Sequence, residues 1–182
     1  MKKLFFLPLF GLLFLAVSCP NNNPPTPTPP PDVLPPATQT GANTFGCLIN
    51  GKVWLPGGGG QPSIVPSYFK NTFSIGVQKS VYNLTNQPIV MQLFDFSVKP
   101  VYDTGKYYIK NKNLTGGVGF EDQISKCTYT YNDKDSLQNW VHITKLDKTN
   151  LIISGTFNFL FTNTTCDTIK MTSGRFDAKY TY

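Results

Sequence analysis

Histidine is almost missing from this chain: His142, in NWVHITKL, is the single one among 182 residues. An imidazole metal site or a Cys–His catalytic pair would have that one side chain to draw on. Strand alternation sets His142 beside Trp140 and Thr144, opposite Val141 and Ile143, so it does not face an inward cysteine. The four glycines Gly57 to Gly60 lack the Gly-Lys-Ser/Thr of a phosphate loop. Gln61-Pro62 follows, Pro66 comes soon after, and no helix N-terminus is available for an anion. The expectation there is a surface loop. Asn132, Asp133 and Asp135 offer oxygens of the kind Ca²⁺ takes, but the Gly and Glu that complete a calcium loop are missing. That leaves a turn rich in Asn and Asp, and Glu121-Asp122 reads as a solvated pair. No Ser–His–Asp order, glycosidase carboxylate pair or zinc spacing stands out. No catalysis, metal or cofactor is therefore expected. No long window carries a helical stripe, and no apolar run reaches the ~20 residues of a relaxed membrane span.

What is there begins with an address. MKKLFFLPLFGLLFLAVSCP opens on Lys2 and Lys3 and continues through 14 apolar residues, Leu4 to Val17, the size of a signal-peptide core. Ala16-Val17-Ser18-Cys19 resembles the bacterial lipobox, with Ala16 a less common first residue. The resemblance implies cleavage before Cys19 and lipidation of Cys19, leaving residues 1–18 as a removed leader. Two or more acyl chains anchor a protein stably. Residues 20–43 hold nine of the 15 prolines and little to bury. Proline fixes φ and removes a donor, so 19–43 is expected to be a disordered, extended spacer reaching about 75 Å. A single domain over 44–182 follows, long enough for one core.

Without the leader, 14 basic residues face 10 acidic ones, a modest excess. Tyr102, Lys106, Tyr107, Tyr108 and Lys110 cluster in sequence, with Lys99 and Lys112 nearby. Such a patch suits anionic glycans or lipid head groups; lysines also guard strand edges against pairing. Nucleic acid is not an expected partner. Three cysteines remain, an odd number in a compartment that permits disulfides. Cys127 and Cys166 lie where strand ends meet and are expected to pair. Cys47, in line with Phe45 and Ile49, is left as an inward thiol that behaves as a small hydrophobe.

The domain reads as all-β, from period-two alternation. Phe73, Ile75 and Val77 share a face, as do Leu151, Ile153, Phe157, Phe159 and Phe161. In RFDAKYTY, Phe176, Ala178, Tyr180 and Tyr182 face inward and Arg175, Asp177, Lys179 and Thr181 outward. Cys127, Tyr129 and Tyr131 form another set. Turn signals fall at Asn50-Gly51, Thr104-Gly105, 147–150 and Ser173-Gly174. Short helical turns fit only near 121–126 or 133–139. Eight to ten antiparallel strands, paired neighbour to neighbour, are expected in a curled barrel-like sheet or a two-sheet sandwich. After the hairpin at Asn50-Gly51, Val53 and Leu55 are expected inward and Trp54 outward.

Three stretches together, PPATQTGANTFGCLINGKVWLP, HITKLDKTNLIISGTFNF and GRFDAKY, resemble a family of Bacteroidota-type lipoproteins of uncharacterised function. Residues 60–126 are not distinctive. The resemblance implies a signal peptide, a lipid anchor and a small all-β domain, in the bacterial cell envelope and most often the outer membrane. It transfers no catalytic residue. Acidic residues after the lipidated cysteine favour surface display in such bacteria, and Pro20 to Asn23 are neutral. The sequons at Asn83, Asn113 and Asn163 carry no meaning in that compartment. The expected role is a non-enzymatic binding or structural domain that contacts a glycan or an envelope protein through exposed aromatics, Trp54 and Tyr108 foremost. A lipocalin-like carrier of a small apolar ligand is the alternative, and a hydrolase with an unrecognised site the next.

Overall fold

The computed structural model describes residues 33–58, 63–85, 87–110, 115–130 and 137–182. Cys19 and the leader, Gly59 and Gly60, Lys112 and Asn113, and Tyr131 to Asp135 lie outside the described residues. A compact unit spans Asp32–Tyr182.

Eleven strands form two antiparallel sheets. They are β1 Thr44–Ile49, β2 Lys52–Trp54, β3 Ile64–Phe69, β4 Thr72–Tyr82, β5 Pro88–Val98, β6 Gly105–Tyr108, β7 Gly116–Asp122, β8 Cys127–Thr130, β9 Trp140–Asp147, β10 Ile152–Phe161 and β11 Ile169–Lys179. One sheet runs β2-β1-β11-β10-β9-β6 and the other β3-β4-β5-β7-β8. Neither closes on itself, so the architecture is the two-sheet sandwich and not the curled barrel. Neighbour pairing holds for the hairpins but not throughout: β1 pairs β11, β5 pairs β7 and β6 pairs β9. The segment 123–126 is a turn rather than a helix.

The hairpin signals work through backbone sign. Asn50 and Gly51 take φ of 48° and 82°, as a two-residue type I′ turn requires. Lys70 and Asn71, with φ of 47° and 58°, make a second such turn between β3 and β4 without any glycine. Ser173-Gly174, expected as a turn, lies inside β11, where the register with β10 shifts and Ser173 takes φ 52°. It is a bulge. Asn83 and Asn163 each accept a hydrogen bond from the backbone N–H two residues on, at Thr85 and Thr165. Their Asn-x-Thr pattern is therefore an Asx turn.

Between the sheets lies a layer of phenylalanine. Phe94 and Phe96 of β5 pack against Phe157 and Phe159 of β10, with centroids 5.4–5.7 Å apart, and Phe73 stacks on Phe176 at 5.2 Å. Two glycines make room for these rings. Gly155 sits opposite Phe176 and Gly174 opposite Phe157 on the neighbouring strand. A Cβ at Gly174 would be driven into the Phe157 ring. Each ring lies over the bare backbone of its cross-strand partner.

Trp54 corrects the expectation for the first hairpin. A two-residue turn pairs Cys47 with Trp54 and Leu48 with Val53. Directly opposed residues share a face, so Trp54 follows Cys47 inward. It is 4 % exposed, meets Phe45, Phe94 and Phe120 edge-on, and donates its indole N–H to Gln92 Oε1 at 2.7 Å. Tyr182, expected inward, is exposed.

Cys127 and Cys166 form a disulfide, Cα atoms 6.2 Å apart, tying β8 of one sheet to the segment between β10 and β11 of the other. Cys47 is free and buried.

Candidate functional site

The outer face of the six-stranded sheet gathers the polar chemistry. Cross-strand register puts Lys106, His142, Thr156 and Arg175 in one row over β6, β9, β10 and β11. Tyr108, Trp140 and Asn158 form the next row. Lys106 Nζ lies 4.0 Å from the Trp140 ring centroid and 5.4 Å from that of Tyr108; Lys110 Nζ is 5.7 Å from Tyr108. Such contacts contribute about 0.5–1 kcal/mol at a surface. They hold the cations over the rings of an edge strand.

Of the residues expected to form a contact surface, the structure brings together Lys106, Tyr108 and Lys110. Tyr102 is 63 % exposed but stands beyond the opposite end of β6, where its carbonyl accepts from Lys148 Nζ. Tyr107 turns inward and donates its hydroxyl to the Asp103 carbonyl at 2.6 Å. Trp54 belongs to the core. Trp140 and Arg175 were not singled out from sequence. Alternation had already placed Trp140 on the outer face, so the signal was there.

Residues 33–43 supply the largest departure from expectation. They are seated on this same outer face as a strap. Three successive backbone N–H groups, of Thr40, Gly41 and Ala42, converge on the Asp177 carboxylate at 2.8–3.2 Å. Gly41, at φ 73°, lets the chain curl into this nest. Thr38 Oγ1 donates to the same carboxylate at 2.6 Å and Ser154 Oγ at 2.7 Å from the strand beneath. Asp177, expected at the solvated face, is 1 % exposed. Burial pushes its pKa up, but the hydroxyls of Thr38 and Ser154 and the N–H groups of Thr40 and Gly41 outweigh that. They hold it well below the usual carboxylate range. Farther along the strap, Gln39 exchanges hydrogen bonds with Thr144 and Lys145, and Arg175 Nη1 donates to the Pro35 carbonyl. Residues 33–43, expected to be spacer, thus belong to the domain unit.

Beside the strap lies a depression of about 270 Å³, lined by Ala37, Trp140, Thr156, Asn158, Ser173 and Arg175. Another, of about 240 Å³, is formed by the β7–β8 turn around Glu121 and Asp122. There Asp122 Oδ1 caps the N–H groups of Ile124 and Ser125, and Glu121 accepts from Gln123 Nε2. These carboxylates serve their own turn, on the sheet opposite His142. A thiol nucleophile is equally unsupported. Burial pushes the Cys47 thiol up to about 12, whereas a nucleophile needs the reverse. A carrier would need an interior cavity of several hundred Å³. The space between these sheets is filled by Phe157, Phe159, Phe161 and their partners. Among the described residues no cluster of three or more His, Cys, Asp or Glu side chains is placed to hold a metal.

No family model matches the sequence, and neither a curated protein nor a solved structure matches the chain.

Proposed function

We propose that this chain is a lipid-anchored protein of the bacterial envelope, of the Bacteroidota lipoprotein type. Its sandwich domain makes a non-enzymatic contact with a glycan or an envelope protein. The leader and the lipobox ending at Cys19 support the anchor. The observation that carries the contact is the outer face of the six-stranded sheet. There an aromatic and cationic cluster, Lys106, Tyr108, Trp140 and Arg175, borders an open depression. Aromatic and arginine side chains are the residues enriched where proteins make specific contacts.

The test is a glycan array together with a pull-down from envelope extracts, each run with wild type and with Trp140→Ala/Arg175→Ala. Ligands captured by the wild type and lost by the double variant are the expected result. Blank arrays and blank pull-downs would sink the reading.

A further inference from the structure

We propose that the depression between Trp140, Arg175 and the strap binds an acidic saccharide. Arg175 would take the anionic group, Trp140 the sugar ring, and Thr156 and Asn158 the hydroxyls. This deepens the binding reading above and rests on it.

Four observations lead to an anion. Lys106, Lys145, Lys170, Arg175 and Lys179 all stand on this face, against two carboxylates. Both carboxylates are already engaged: Asp177 by the strap, and Asp147 by Lys145 at 3.6 Å and by the turn N–H groups of Thr149 and Asn150. Arg175 is half-buried, and among the described residues no carboxylate lies within ion-pair distance of it. Its guanidinium gives two donors to carbonyls, of Ser173 and Pro35 at 3.3 Å, which fix its plane. Five N–H donors in a rigid fork leave three for a bidentate carboxylate or sulfate.

Other features select a saccharide over a lipid head group. None of the large hydrophobics exposed in the described residues lines the depression, and its apolar lining is confined to Ala37, the Trp140 ring and the buried Phe157, so an acyl chain would find no apolar track leading out of it. The rim is instead Thr156, Asn158 and Ser173, groups that exchange hydrogen bonds with hydroxyls. One face of the Trp140 ring carries Lys106 Nζ, 4.0 Å from its centroid, and a pyranose would stack its apolar C–H face on the other. The volume lies just below the usual range for small-molecule sites, which suits one sugar ring of a longer chain that runs on into solvent. The strap completes the site. Ala37 forms part of the wall and Pro35 holds Arg175, so Asp177, which touches no ligand, acts as a positioning residue.

The experiment uses the full lipidated chain in phosphatidylcholine nanodiscs. Titrants are galacturonate, glucuronate and sulfated galactose oligomers, a neutral galactan of matched length, and dihexanoyl phosphatidylglycerol as the lipid probe. The expected result is binding of at least one acidic oligomer and none of the galactan or lipid. Arg175→Ala and Trp140→Ala should each weaken it tenfold or more. Asp177→Asn should weaken it several-fold, with amide exchange accelerated most at 38–42. Lys79→Ala and Lys126→Ala, exposed on the other sheet and its turn, should leave it unchanged; near-UV circular dichroism checks the fold of each variant. Blank titrations with every acidic oligomer overturn the proposal, as do equal binding of galactan, binding of the lipid alone, or equal losses in Lys79→Ala and Arg175→Ala. An envelope protein captured by pull-down beside blank titrations would overturn this inference and leave the contact function standing. Nothing captured by either route would remove both.

Discussion

Trp54 and Asp177 show how a single position can be misread by the same rule that reads its neighbours correctly. Alternation counted forward from Val53 puts Trp54 outside. Pairing counted across the Asn50-Gly51 turn puts it opposite Cys47 and inside. The hairpin geometry overrides the local count because register is set by the turn. For Asp177 the count was right, since it does lie on the outer face, but another segment covers it there. Cys47 was legible as a core residue from its position between Phe45 and Ile49. Its buried, unionised thiol should resist iodoacetamide in the native protein and react only in denaturant, as peptide mass mapping at Cys47 will report. The glycine pairs give a sharper contrast. Gly174→Ala forces a methyl into the Phe157 ring and should cost about 2–3 kcal/mol in denaturant unfolding. Gly76→Ala meets nothing within 4 Å and should stay within about 0.5 kcal/mol.

The strap behaves as one unit with the strand it covers, and its stability depends on charge. The Asp177 carboxylate is held below the value near 3.9 it has in an unfolded chain. A depressed pKa means that its contribution is fully present above that ordinary value and is lost as pH falls through the lower folded value. Amide protection at Thr40, Gly41 and Ala42 should therefore be constant from neutral pH to about 4 and decline below it. Protection that failed on the alkaline side instead would contradict the assignment. Asp177→Asn presents an amide N–H₂ where donors converge, and should lower stability by about 2–3 kcal/mol at pH 7. Composition made residues 33–43 look like spacer because they include Pro35 and Pro36 and little to bury. At the seam between the sheets, the Cys127–Cys166 bridge closes a loop of 39 residues. Cys127→Ser/Cys166→Ser should cost about 2–4 kcal/mol, read from the midpoint of urea unfolding.

At the scale of the whole molecule, the proposed anchor and the proposed contact face lie along one covalent path. Cys19, the proline-rich residues and the strap lead into β1 without interruption in sequence. Cys19→Ser should move the protein from the membrane fraction to the soluble fraction while leaving the near-UV spectrum of the domain unchanged. The sequence by itself determined the all-β class, the inward face of most strands and the Asn-Gly hairpin. Each of these follows from local chemistry: the period of apolar residues and the few residue types that accept positive φ. Only the tertiary structure decided that the sheet splits into a sandwich rather than curling into a barrel. The reason is that β1–β11, β5–β7 and β6–β9 pair across long sequence separations that no local pattern encodes. It also assembled the candidate site. Lys106, Trp140, Arg175 and Ala37 come from three strands and a strap. What brings them together is register across the sheet and one buried carboxylate, neither of which alternation along a single strand can specify.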